Sequence, residues 1–129
     1  MKKNIQEMIL LYNFTDDRVS EIKDLLEEMN IQVKVLPKEE YYQKIGYIFE
    51  LKGFTKAVAT TDKNFSFGYE LMMLHNFSKP RLDNVLKQMR VQNIEVPICK
   101  AMVTMFNRFW TVEKVCNALE KEHLAMKNK

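Results

Sequence analysis

Residues 7–35, EMILLYNFTDDRVSEIKDLLEEMNIQVKV, lie without a gap over residues 70–98, ELMMLHNFSKPRLDNVLKQMRVQNIEVPI, when the chain is shifted by 63 positions. Eight of the 29 pairs are identical: Glu7/Glu70, Leu11/Leu74, Asn13/Asn76, Phe14/Phe77, Arg18/Arg81, Asn30/Asn93, Ile31/Ile94 and Val33/Val96. Apolar residues also pair with apolar ones at Val19/Leu82, Ile22/Val85, Leu26/Met89 and Val35/Ile98. Identity and core pattern kept together mark an internal repeat. A shorter match lays KAVATTDKNF from Lys56 over KAMVTMFNRF from Lys100, now at a shift of 44. The first copy therefore holds about nineteen extra residues, centred on KEEYYQKIGYIFELKGF.

Each copy reads as strand, helix, strand. Met8 to Phe14 is a short apolar run of the kind that makes a buried strand. Thr15 and Ser78 stand where a helix N-cap hydroxyl accepts from an unpaired backbone N–H. Asp16 and Asp17 suit the first turn of one helix, and Pro80 suits that of the other, where its missing N–H costs nothing. Val19, Ile22, Leu25, Leu26 and Met29 form one apolar stripe; Leu82, Val85, Leu86 and Met89 form its counterpart. Asn30 and Asn93 end the helices, as residues that tolerate the left-handed conformation. IQVKV (31–35) and IEVPI (94–98) follow as the second strands.

The insert, with Tyr42, Ile45, Ile48, Phe49 and a stop near Gly53, predicts a helix over one end of the sheet. Thr111 caps a final helix on which Val112, Val115, Cys116, Leu119 and Met126 share a face, and Trp110 stands at staple spacing from Val115. The expectation is a single α+β domain over residues 1–129, made of two tandem βαβ-like repeats at about 7–66 and 70–126. They would form a ferredoxin-like sheet with an inserted helix and a C-terminal helix. An open mixed α/β sheet is the alternative.

Composition removes several classes of chemistry. The 129 residues are 47% hydrophobic and 29% charged, a globular balance. Three glycines, Gly46, Gly53 and Gly68, are too far apart to write a phosphate-cradling glycine loop. Cys99 and Cys116 form no CxxC, so they read as reduced thiols of a cytoplasmic protein. With His75 and His123 they lack metal-ligand spacing, so no metal and no cofactor is expected. The run Met8–Tyr12 is too short for a secretory signal, and no segment is long enough to span a membrane. The Asn13, Asn64 and Asn76 sequons therefore carry no weight.

Charge divides the copies. Through Gly68 there are ten basic and eleven acidic residues; from Tyr69 onward there are ten basic and six acidic. The helix from Thr15 to Met29 is acidic and that from Ser78 to Gln92 basic, which would favour them as neighbours, although exposed pairs are individually worth little.

The segment KAMVTMFNRFWTVEKVCNALEKEH, from Lys100, resembles the end of a bacterial domain family of unknown function, numbered 3783. The matching positions are Lys100, Ala101, Thr104, Asn107, Trp110, Thr111, Glu122 and His123. The resemblance extends from Glu70 to about Ala125 and implies no activity. Met105 departs from it, standing where the family often has proline after the threonine.

The candidate ligand-binding residues are Lys100, Thr104, Asn107, Arg108 and Trp110. Lys100 recurs as Lys56 and would hold an anion; a solvent-facing lysine at a strand edge is the plainer reading. Asn107, Arg108 and Trp110 would line the mouth of the last helix, whose N–H groups favour anions. No catalytic residue is assigned: Cys116 and His123 are seven positions apart, about 10 Å along a helix. The leading expectation is a non-enzymatic regulatory or ligand-binding domain that takes a small or anionic ligand and forms a homodimer. Single-stranded nucleic-acid binding is the alternative, since ILLYNF and MMLHNF have the shape of an RNA-recognition signature. Its stacking positions, however, hold Leu10 and Met73. An enzyme is the third class.

Overall fold

A computed structural model describes residues 6–59 and 65–127. Four strands, β1 (Met8–Tyr12), β2 (Gln32–Leu36), β3 (Leu71–His75) and β4 (Cys99–Met102), form one sheet in the order β2-β1-β3-β4. β1 runs parallel to β2, and β3 parallel to β4; the central pair β1/β3 is antiparallel. Helix α1 (Asp16–Glu28) joins β1 to β2, α2 (Ile45–Ile48) lies in the insert, α3 (Lys79–Val91) joins β3 to β4, and α4 (Val112–Lys127) ends the described chain. The fold is α+β with an open mixed sheet. In each repeat the two parallel strands are direct neighbours, whereas a ferredoxin-like sheet splits them with a third strand.

The central strands explain the architecture. MILLY and LMML are buried at every position because helices cover both faces of the sheet. Ile9, Leu11, Met72 and Leu74 pack with Ile22, Leu25 and Leu26 of α1 and Val85 and Met89 of α3. Met8, Leu10, Tyr12, Leu71 and Met73 point the other way, onto Ile45, Ile48 and Phe49 of the insert and Val112, Val115 and Cys116 of α4. Alternation along the strand thus feeds two cores. The acidic α1 and basic α3 lie side by side on the first face. The insert covers the second face, not an end of the sheet.

Leu10 pairs with Met73 across the central ladder, and these two residues are repeat equivalents. A pseudo-two-fold axis therefore passes between them. It relates two crossed ion pairs: Arg18 Nη2 lies 2.8 Å from Glu70 Oε1, and Arg81 Nε lies 2.9 Å from Glu7 Oε1. Each arginine also donates to a backbone carbonyl of the other half, Glu95 for Arg18 and Met29 for Arg81. Asn13 and Asn76 both have positive φ, 68° and 67°, and both cross the seam, Asn13 to the Tyr69 carbonyl and Asn76 to the Gln6 carbonyl. Asn30 and Asn93 (φ 63° and 58°) close α1 and α3 in the left-handed conformation. In both, the next N–H reaches back into the helix: Ile31 to the Leu26 carbonyl at 2.9 Å and Ile94 to that of Met89 at 2.8 Å. Thr15 and Ser78 cap the N-termini as expected.

Four further expectations need correction. The second strand of the second copy is not Ile94–Ile98 but Cys99–Met102. Gln32 stands opposite Met8, yet Cys99, not its repeat equivalent Glu95, stands opposite Leu71. Pro97 lacks the N–H a ladder needs, and Arg18 holds the Glu95 carbonyl, so the chain enters the sheet later. The stretch from Lys56 to Ala59 forms no strand, and Thr60 lies outside the described residues. The inserted helix is a single turn, ended by Glu50 at φ 57° and a Leu51 N–H to Gly46 carbonyl bond of 2.8 Å. Met126 is exposed and leaves the α4 face to Val112, Val115 and Cys116 with the partly buried Leu119.

Replacing Arg18 or Arg81 by alanine will destabilise the protein by about 2 kcal/mol, since each loses charge-assisted bonds and strands a half-buried glutamate. Urea titration of both variants, with Arg18→Ala/Glu70→Ala closing a double-mutant cycle, measures this. A second expectation concerns alkali. Burial pushes the Cys116, Cys99 and Tyr12 acids up from their ordinary values, so each stays protonated in the folded chain where the unfolded chain has begun to ionise. The unfolded state then binds fewer protons, and stability falls as pH rises above about 9. Urea midpoints at pH 7.5 and 10 will show the drop, and Cys116→Ala will reduce it.

Candidate functional site

Four of the five candidate residues meet in the loop between β4 and α4, where they hold one another. The Thr104 hydroxyl accepts from the Asn107 N–H at 2.9 Å and the Phe106 N–H at 3.2 Å. Asn107 returns the bond, its Oδ1 accepting from the Thr104 N–H at 2.8 Å while its amide donates to the Met102 carbonyl at 2.8 Å. Arg108 Nε donates to the Thr104 carbonyl at 3.0 Å. This is the reciprocal chemistry of a capping box, and it shapes a turn. The Trp110 ring packs on the second core and carries the Lys114 ammonium 4.4 Å from its centre.

The mouth of α4 is already occupied by the protein's own carbonyls. The Val112 N–H donates to the Gln43 carbonyl at 3.0 Å, the Glu113 N–H to that of Tyr41 at 2.9 Å, and the Lys114 N–H to the Thr111 hydroxyl at 3.2 Å. Gln43 is wholly buried, and its side-chain oxygen accepts from the Ala57 N–H at 2.9 Å. One glutamine thus ties the insert to the last helix. Sequence reading missed it because a lone polar residue in a loop carries no periodic signal.

Lys100 stands apart from this loop. Its ammonium donates to the Pro97 carbonyl at 2.8 Å, and burial lowers its pKa. With Ile98, Cys99, Leu119, Glu122, His123 and Met126 it lines a cleft of about 130 Å³. Lys100, Glu122 and His123, matched separately in the sequence, are therefore brought together. The His123 ring meets Tyr69 edge-on at 5.1 Å, and the Cys99 thiol is held protonated by burial, which removes it as a nucleophile at neutral pH. No group of three metal-ligating side chains occurs among the described residues.

A larger cleft, about 260 Å³, opens at the carboxyl end of β1 and is lined by Tyr12, Tyr41, Phe65 and Phe67, with Asn13, Lys38, Glu39 and Ser66. Tyr41 and Phe65 stack at 4.8 Å, and the Tyr12 hydroxyl donates to the Lys38 carbonyl at 2.6 Å. Asn13 spans it, donating to the Phe67 and Tyr69 carbonyls. A second hollow, with Phe14, Thr15 and Leu36, shares Asn13 and Lys38 with it and reaches the N-cap of α1. The pseudo-symmetric place, at the end of β3, is filled: His75, the equivalent of Tyr12, lies against the Phe49 ring at 5.4 Å. Burial and then the Arg108 charge keep that imidazole neutral. The sequence signal for the open cleft was slight: Tyr41 lies in the first-copy insert and has no repeat partner, whereas Phe65 falls opposite Phe109 at the shift of 44.

No helix among the described residues is long and apolar enough to cross a membrane. No curated protein and no solved structure matches the chain. Residues 70–126, which hold the second repeat from its first strand to the end of the last helix, match the family model described as Domain of unknown function (DUF3783), so this part of the chain is similar to that family.

Proposed function

We propose that the chain is a small, non-enzymatic binding domain whose ligand is a flat, ring-bearing zwitterion held in the aromatic cleft at the carboxyl end of β1. The observation that carries this reading is the set of four aromatic side chains around one opening, beside the end of a parallel strand pair. Crevices outside the carboxyl ends of strands are the habitual ligand position in open sheets. The volume, about 260 Å³, suits a molecule of one or two rings. Lys38 and Glu39 bring both signs of charge to the rim, one for a carboxylate and one for an ammonium group. Asp16 and Asp17 in the first turn of α1 disfavour a ligand of net negative charge near the adjoining hollow.

The remaining chemistry supports binding over catalysis. Both thiols are held protonated, and Arg18, Arg81, Glu7 and Glu70 are engaged in the seam. The nucleic-acid alternative has less support, because Leu10 and Met73, its stacking positions, are fully buried beneath the second helical layer.

Native mass spectrometry of freshly purified protein will show a retained small mass, and the same spectrum reports whether a second copy is bound. Calorimetry with free tryptophan as probe will show saturable heat, weakened about ten-fold by Phe65→Ala through loss of ring contact. A bare protein mass together with no heat from aromatic zwitterions would sink the reading.

A further inference from the structure

The loop that Thr104 and Asn107 stiffen carries three apolar side chains outward. Met105 is 76% exposed, Phe106 80% and Phe109 59%. Phe109 leans on Phe54 of the insert, with ring centres 5.3 Å apart, and the Phe54 ring itself sits so close to Gly46 that a side chain there would collide with it. The first-copy insert and the loop between β4 and α4 therefore meet at this point and present one apolar prong. Val58, beyond Phe54 on the same segment, is 91% exposed.

Basic residues flank both segments of the prong along the chain. Lys52 and Lys56 flank Phe54 in sequence and are exposed. Lys44 is bridged to Thr111, just beyond the loop, and Arg108 and Lys114 belong to the loop and to the first turn of α4. Among the described residues, the acids in the same neighbourhood include Glu113, on α4, Glu40, which accepts from Gln43 beside Lys44, and Glu50, whose carboxylate is paired with Lys34. The rim is basic. An isologous contact between two copies through this face would set the same cations against each other, so a second copy is the wrong occupant.

We infer that this prong docks the protein on an anionic phospholipid surface, with Met105 and Phe106 entering the interface and the lysines and Arg108 meeting the headgroups. Charge complementarity names an anionic partner. Convex, protruding side chains held on a stiffened turn fit a soft surface that opens around them, as interfacial apolar anchors do. The inference is independent of the aromatic cleft, which lies at the end of β1 and shares no lining residue with the prong.

The test is co-sedimentation of the whole chain with vesicles of phosphatidylcholine containing about 30% phosphatidylserine, compared with phosphatidylcholine alone. Binding confined to the anionic vesicles and weakened by salt is the expected result. Met105→Ser/Phe106→Ser touches two side chains outside both cores, so circular dichroism should be unchanged while vesicle binding falls at least ten-fold. Lys52→Glu/Lys56→Glu should lower it by a similar factor. The proposal is overturned if anionic vesicles sediment no protein, if both vesicle types bind alike, or if the Met105/Phe106 variant binds as the parent does. It is equally overturned if the prong binds an acidic polypeptide such as polyglutamate while vesicles bind nothing.

Discussion

The antiparallel pairing of β1 with β3 is the constraint on which the rest depends. The two strands belong to different copies of one repeat, and their ladder is centred on the equivalent residues Leu10 and Met73. Everything that joins the halves must then occur twice, once on each side of the axis. Glu7 with Arg81 and Glu70 with Arg18 are that duplication in side chains; Asn13 and Asn76 are its counterpart in bonds to backbone. Because both faces of these strands lie under helices, the seam also has to be apolar throughout. An arginine at its margin, half-buried and bonded to a carboxylate and a carbonyl, supplies direction that apolar packing lacks.

This explains which parts of the structure were legible in the sequence. All eight identical pairs have a counterpart in the fold that is the same in both copies, Phe14/Phe77 and Val33/Val96 by packing on the first core. Glu7/Glu70 and Arg18/Arg81 form the crossed ion pairs, and Asn13/Asn76 bridge the seam. Asn30/Asn93 and Ile31/Ile94 end the helices, and Leu11/Leu74 enter the first core. Strands β1, β2 and β3, helices α1, α3 and α4 and the caps of α1 and α3 could be read because period, burial and turn chemistry agreed there. The order of the strands could not. A βαβ unit and a split βαβ unit have the same local pattern, and what separates them is which edges pair, a long-range choice that no window of sequence records. The register of β4 was lost for a related reason. IEVPI has the hydrophobicity of a strand, but a proline and an arginine from the other half decide where the chain enters the sheet.

The sites were less legible than the fold. Lys100, Thr104, Asn107, Arg108 and Trp110 stand out in sequence, and the hydrogen bonds of Thr104, Asn107 and Arg108 shape a turn. A Thr-x-x-Asn spacing serves a ligand or a loop equally well until the partners of its oxygens are known. The aromatic cleft has the reverse history: its residues come from scattered positions, Tyr12 on a strand and Tyr41, Phe65 and Phe67 on loops, so nothing in their spacing announces that they converge.

Departures from symmetry are where function has room. A symmetric pair of βαβ units sharing one seam would leave the second sheet face bare, since α1 and α3 both lie on the first. Each copy covers that face with something of its own: the first with its insert, the second with α4. The two additions are fastened to one another through Gln43, the Lys44–Thr111 bridge and the bonds from the first turn of α4 to the carbonyls of Gln43 and Tyr41. The fastening consumes the N–H groups that would otherwise have drawn an anion to α4. It also fixes the two surfaces that the repeat itself does not determine. At one end Tyr41 of the insert stands with Phe65 and Phe67 around the end of β1 and leaves a hollow; at the other Phe49 of the insert fills the equivalent place against His75, and the loop beyond turns its phenylalanines outward. One end of the molecule is therefore concave and aromatic and the other convex and basic, a difference that follows from which copy received the insert and which received the last helix.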